Sequence, residues 1–360
     1  MKKRKRDPGR LHLNDPEKFT SVYITEHRNR KRMTHRQKQL IVIGIIVLLV
    51  IIAGIVMLRA FTQEPVIAFK QSKYTMNIGD SQKLSVKLDP ANGKAPKLSF
   101  TSDHPAVVSV NSDGRAKAKR GGTAVITCTS RDGQKIKVKI TVKSPKQEKV
   151  IYITYDDGPS AEVTPDVLRV LKKYHATATF FVVGQQVKEY PELLEAEAAE
   201  GHTIAVHTYT HDYNKIYRSS DAYIKDFTRT AKLIKKLTGK TPLYWRFPGG
   251  GNNDFMSSET RSAILKELHK QGYMEMDWDA YTEDAVGVDY SVKSMSDNGI
   301  RSLKNSRVPV ILIHDLSEKS HAAEVTENIL KYFSKRGYSF EGLDDYYGAE
   351  ITFGSGESGK

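Results

Sequence analysis

Two adjacent carboxylates, Asp156-Asp157, close the run Ile151-Tyr-Ile-Thr-Tyr155, and Gly158-Pro159 turns the chain directly after them. Alternating apolar and β-branched residues make that run a strand, so the acids are delivered to a loop at its C-terminal end. In α/β sheets and barrels that end carries the chemistry. Neighbouring carboxylates repel each other, and a cation is the simplest group that stabilises both. Taken alone, the pair is also an ordinary surface turn. His207-Thr-Tyr-Thr-His211 places two imidazoles four residues apart, where one helical turn or a tight loop aims both at one point. Joined by an acid from another strand end, they make a two-histidine, one-carboxylate set. Such a set leaves coordination positions open for water and substrate, which suits catalysis rather than structure.

Three further stretches offer polar groups at strand ends. Arg246-Phe-Pro-Gly-Gly-Gly251 ends a strand in an arginine and follows it with a glycine turn, whose amides could face an oxyanion. Met276-Asp-Trp-Asp-Ala-Tyr-Thr-Glu-Asp284 supplies a tryptophan and several acids, and Val310-Ile-Leu-Ile-His314-Asp315 is an apolar strand ending in a lone histidine. Singly, these read as a Gly/Pro loop, a surface acid cluster and a capping histidine. Their shared position at strand ends raises the alternative that they act together.

The elements that must position these groups follow from the change of period after residue 150. Strand-like runs are predicted at Val150–Tyr155, Thr179–Val183, Thr203–His207, Leu243–Phe247, Tyr273–Trp278 and Val308–His314. Helices are predicted at Val163–Tyr174, Pro191–Glu200, Asp221–Leu237, Ser258–Gln271, Asp289–Asn305 and Ala322–Lys335, with Gly201, Gly239, Gly272 and Gly337 just after helix ends. Repeated β-α alternation implies a parallel sheet or barrel, here a barrel.

Upstream, 65–143 reads as an all-β sandwich. Short alternating runs at Lys83–Leu88, Ala106–Val110, Ala124–Thr129 and Lys135–Val142 are separated by turn signals, among them Asn77-Ile-Gly-Asp80, Asp89-Pro90, Asn92-Gly93 and Asp113-Gly114. The single cysteine, Cys128, excludes an intrachain disulfide and falls at an inward position of one such run, as a small hydrophobe. Residues 144–149 form a polar linker and 346–360 a tail. Leu40–Leu58 is apolar, nineteen residues long and flanked by Lys38 and Arg59, just enough to cross a bilayer core. The following Met57-Leu58-Arg59-Ala60 lacks a small-x-small cleavage site, so residues 39–60 read as an uncleaved anchor. Thirteen Lys/Arg against four Asp/Glu in residues 2–38 put nine of the fourteen net positive charges in the tail. That tail therefore reads as the cytoplasmic flank, with the remainder of the chain outside. The five charges left over do not call for nucleic acid, and would suit work against an anionic polymer.

The five polar stretches, in this order, resemble the polysaccharide deacetylase family (carbohydrate esterase family 4, the NodB homology domain). Tyr155–Ser160 resembles its first motif, His207–His211 the second, Arg246–Gly250 the third, Asp277-Trp278 with Asp284 the fourth, and Leu312-Ile-His314 the fifth. Phe100–Val110, Asp113-Gly114 and Gly121–Thr127 resemble bacterial Ig-like domains of group 2, with Phe100 where tryptophan is common. The first resemblance implies a distorted (β/α) barrel over 150–345. It implies a divalent metal, zinc first with cobalt or nickel as alternatives, held by Asp157, His207 and His211. It assigns Asp156 as general base, Arg246 as the partner that keeps it ionised, His314 as general acid and Asp284 as its orienting carboxylate. Substrate contacts are implied for Tyr209, Pro248, Gly249, Trp278 and Leu312. Ala285, Gly249 and Gly251 depart from the family pattern and bear on substrate fit more than on catalysis.

The expectation is then a multi-domain chain: a transmembrane helix, an Ig-like sandwich and an α/β barrel. Its activity would be removal of N-acetyl groups from an extracellular glycan, peptidoglycan N-acetylglucosamine in a Gram-positive wall. Rivals are an O-acetyl esterase of the same family, a wall-binding structural protein with a silent barrel, and a non-haem iron oxygenase sharing the ligand set. The sequence leaves the oligomeric state open.

Overall fold

Strand β10, Val150–Asp156, is the axis of the C-terminal part, because it pairs in parallel with β11 (Thr179–Val182) on one side and β16 (Val310–His314) on the other. A computed structural model describes residues 34–62, 65–89, 96–144, 149–285, 290–306 and 308–348. From β10 the sheet continues through β11 to β12 (Thr203–Val206), β13 (Tyr244–Trp245) and β14 (Met274–Glu275), and through β16 to β15 (Ala280–Tyr281). Every described pairing in it is parallel, including that of the short β17 (Ser339–Phe340) with the start of β10. The result is a curled half-barrel with β14 and β15 at its two edges, rather than a regular closed barrel.

Both faces of β10 are buried, as its uninterrupted apolar character requires. Outward-facing Ile151, Ile153 and Tyr155 join one cluster with Val167, Leu171, Phe227, Ile329 and Leu330 of the surrounding helices. Six predicted helices in this part are present within the described residues, and Ser258–Gln271 has the predicted bounds. Gly239 and Gly272 take left-handed backbone and cap their helices. The predicted strands Leu243–Phe247 and Tyr273–Trp278 shrink to two residues each. The carbonyls of Met276 and Asp277 go to the guanidinium of Arg246 instead of a neighbouring strand, and Pro248 has no N–H to give. The start of the helix predicted at Asp289 lies outside the described residues.

The all-β part divides into sheets β2-β9-β8-β5, β3-β7-β6 and β1-β4. Here β1 is Val66–Phe69, β2 Lys73–Asn77, β3 Ser81–Lys83, β4 Val86–Asp89, β5 Leu98–Ser102, β6 Val108–Val110, β7 Arg115–Ala118, β8 Gly122–Ser130 and β9 Lys135–Lys143. Alternating residues of β8 and β9 (Ala124, Ile126, Cys128, Val138, Ile140, Val142) point into the sandwich. The predicted run Lys83–Leu88 is broken into β3 and β4, in different sheets, because Leu84 between them turns into the core. The turn at Asn92-Gly93 and most of the 144–149 linker lie outside the described residues.

From Pro65 onward the chain forms one compact unit. Arg120 of the sandwich donates to the Tyr244 hydroxyl at 2.9 Å and the Tyr346 carbonyl at 2.6 Å, and the Gly121 N–H donates to the Tyr347 carbonyl at 2.7 Å. The His104 and His269 rings meet tilted, 4.3 Å apart between centres. Tyr244 opens β13, and His269 precedes β14, so the sandwich meets the half-barrel at the N-terminal ends of its strands. Separately, His35–Thr62 is one helix, long and apolar enough to cross a membrane by length and composition.

Candidate metal-dependent active site

Strand register brings the first acid and the last histidine together. Asp156 and His314 are paired Cα positions on adjacent parallel strands, so both side chains emerge at the same sheet end. The next residue, Asp157, leaves the strand with φ +76°, and His211 and Thr208 also take positive φ, at 52° and 67°. None is glycine, and left-handed backbone costs such residues energy that surrounding structure must supply. That structure is visible. Asp226, on the helix Ser220–Thr238, accepts from the N–H groups of Tyr209 and Thr210 and from the Thr210 hydroxyl, and the Thr208 carbonyl accepts from the Gly184 N–H and the Thr230 hydroxyl.

The strained loops converge. Asp157 Oδ1 lies 3.1 Å from His211 Nε2 and 3.5 Å from His207 Nε2. One ligand atom from each of the three residues falls within 4.8 Å of the others. That oxygen is buried and has no hydrogen-bond partner among the described residues, a costly state unless a cation completes it. His207 hydrogen-bonds through Nδ1 to the carbonyl of Arg246 at 3.1 Å. With that nitrogen donating, Nε2 keeps its lone pair for a metal. Burial, with help from the charges of His211 and Arg246, holds His207 well below the usual imidazole range and so in the ligating, neutral form. The residues present fit a divalent ion.

Beside this cluster stand two charge pairs. Asp156 is buried, and burial pushes its carboxyl up to about 6 against the pull of Arg246, whose Nη1 donates to it at 2.8 Å. Arg246 is fully enclosed. Its remaining donors meet Thr154 Oγ1 and the carbonyls of Met276 and Asp277, and Phe181 and Trp278 lie over its plane at 4.0 and 5.2 Å from the ring centres. An arginine so saturated acts as a fixed charge. In the second pair, Asp284 Oδ1 meets His314 Nδ1 at 3.1 Å, while its Oδ2 accepts the His314 N–H at 2.8 Å. Burial works against the imidazolium, but the Asp284 charge and hydrogen bond outweigh it and raise His314 to about 9. The same pairing holds Asp284 below the ordinary carboxylate range although burial pulls it upward.

The family model for polysaccharide deacetylases matches residues 143–268, and that for the bacterial Ig-like domain (group 2) matches 65–150. A peptidoglycan-N-acetylglucosamine deacetylase of Bacillus cereus is 31% identical over 251 residues, covering 68% of this chain and 88% of the relative. The chain belongs to the polysaccharide deacetylase family. It is a deacetylase, a hydrolase. A peptidoglycan-N-acetylmuramic acid deacetylase of Bacillus subtilis is 31% identical over 201 residues, 55% of this chain and 72% of that one. Among solved structures, the catalytic domain of a peptidoglycan N-acetylglucosamine deacetylase from Eubacterium rectale superposes with a TM-score of 0.53 at 30% identity, covering 58% of this chain and 96% of that one.

The remaining sequence candidates scatter more. Leu312 shares the inner edge of β16 with His314, and Trp278 borders Arg246. Pro248 gives its carbonyl to the Tyr217 hydroxyl at 2.5 Å, and Gly249 has φ +76°. Tyr209 turns toward the helix side, its ring beneath the Arg229 guanidinium at 3.6 Å and against Gly184. Asp315, which sequence reasoning passed over, backs the whole loop. Its carboxylate sits where a Cβ on Gly158 would fall and accepts from the Thr164 hydroxyl at 2.6 Å, and its N–H donates to the Asp156 carbonyl. Asp226 was also missed. Asp315 directly follows His314, so its place in the fifth stretch was the available signal, whereas no spacing ties Asp226 to the motifs.

Proposed function

We propose that the chain removes N-acetyl groups from peptidoglycan N-acetylglucosamine, using a zinc ion held by Asp157, His207 and His211. The supporting observation is the convergence of those three ligand atoms beside the Asp156–Arg246 and His314–Asp284 pairs. A divalent cation held there would lower the pKa of a bound water from 15.7 to roughly 7 and polarise an acyl carbonyl. Asp156, kept ionised by Arg246, takes the proton of the attacking water as its oxygen adds to the acetamide carbon. The Gly250 and Gly251 amides donate to the Phe247 carbonyl and the Asp277 carboxylate, so the Gly249 N–H is the amide of this loop left to meet the developing oxyanion. His314, protonated through Asp284, gives its proton to the nitrogen as the C–N bond breaks, leaving acetate and a free amine. Relatives named for N-acetylglucosamine and for N-acetylmuramic acid support wall glycan as the substrate class.

The proposed organisation is a cytoplasmic tail over 1–38, an anchor over 39–60, an Ig-like domain over 65–143 and a catalytic domain over 150–345, outside the membrane. The apolar helix and the basic residues before it support that orientation. The test is acetate release from N-acetylglucosamine oligomers by the purified chain. Release should stop with a chelator and return with Zn2+. No chelator-sensitive acetate from any N-acetylated glycan would end this reading.

A further inference from the structure

The loop after Arg246 carries an aromatic ring that the chemistry above leaves unused. Phe255 is 62% exposed, although it belongs to a loop held in place. Asn253 Nδ2 donates to the Gly250 carbonyl at 2.7 Å, and Asn253 Oδ1 accepts the Phe255 N–H at 3.0 Å. The ring of Phe255 lies 4.5 Å from that of Tyr213, and Tyr213 lies 5.4 Å from the ring of His211. An aromatic path thus runs from the candidate metal ligand to the surface. Gly249 makes room for it, because a Cβ there would stand 3.1 Å from the Tyr213 hydroxyl. A single exposed phenylalanine is commonplace. This one differs because the Asn253 side chain holds its backbone and its ring packs on Tyr213, which in turn lies against a candidate metal ligand.

A fixed apolar ring at the mouth of a polar site suits a ligand with one apolar face and a polar rim. A pyranose has that form, with C–H groups on its faces and hydroxyls around its edge. We propose that Phe255, backed by Tyr213, is a stacking subsite for the sugar next to the one being deacetylated. The proposal rests on the glycan reading and adds a determinant of chain-length preference to it. Pre-ordering of the loop means that stacking costs little further freedom on binding.

The test compares the chain with its Phe255→Ala and Phe255→Tyr variants on a pentamer of N-acetylglucosamine and on 4-nitrophenyl acetate, which carries no neighbouring sugar. For Phe255→Ala, kcat/KM on the pentamer relative to the aryl ester should fall roughly three- to tenfold, the fold-change of one aromatic contact. The fall should come through KM, and Phe255→Tyr should restore the ratio. An unchanged ratio, or equal losses on both substrates, overturns the subsite. If the unsubstituted chain releases no acetate from glycan, the substrate reading fails by itself. Pentamer binding then decides the subsite: weaker binding by Phe255→Ala supports it, and equal binding removes it.

Discussion

His314 and Asp156 sit one strand apart, and burial drives both toward the neutral form. For an acid meant to donate near neutral pH, that is the wrong direction for the histidine, and Asp284 reverses it. In the proposed role Asp156 must be ionised to accept a proton, so activity should rise through about pH 6. In the proposed role His314 must be protonated to give one, so activity should fall through about pH 9. The pH profile of kcat/KM should therefore be a bell between these limbs. Asp284→Asn removes the counter-charge and lets burial prevail, so the alkaline limb moves down by more than a unit while the acid limb stays. A limb that does not move would detach Asp284 from the acid role. Stability carries the same sign. The folded value of His314 lies above the unfolded 6.5, so its contribution is full below pH 6.5 and is lost as pH rises through 9. At this scale the sequence was most legible, since the polar residues of all five motifs could be named. It gave no hint that Asp157, Thr208 and His211 take left-handed backbone, because none of them is glycine.

Among elements, periodicity found the long helices and the central strands but not the pieces that make the site rigid. The short helices Gly184–Glu189 and Tyr213–Ile216 and the two-residue strands β15 and β17 are too brief to establish a period. They exist because tertiary hydrogen bonds hold them. The helix predicted at Asp221–Leu237 forms over Ser220–Thr238, and its Asp226 reaches out to clamp the histidine loop through three hydrogen bonds. Asp226→Ala should leave the helix folded and weaken Zn2+ binding roughly ten- to a hundredfold, as loss of an outer hydrogen-bonding partner does. Competition with a chromogenic chelator measures it. Unchanged affinity would show that the loop keeps its shape without the clamp.

Across the whole molecule, the sandwich is joined to the half-barrel through Arg120, Gly121 and His104. Sequence could not foresee this, because Arg120 and its partners Tyr244 and Tyr346 are more than a hundred residues apart. Arg120→Ala removes two hydrogen bonds and leaves the Tyr244 hydroxyl with only the Tyr346 carbonyl. It should cost about 1–3 kcal/mol and split one thermal transition into two. A single unshifted transition would mean that the two parts are already independent.

The sandwich grips the strand beginnings, while the reacting groups crowd the strand finishes. Under the proposed function, a glycan bound at the finishes lies at the strand ends away from those contacts. Traffic and attachment occupy opposite poles, and either pole can be remodelled with the other left alone.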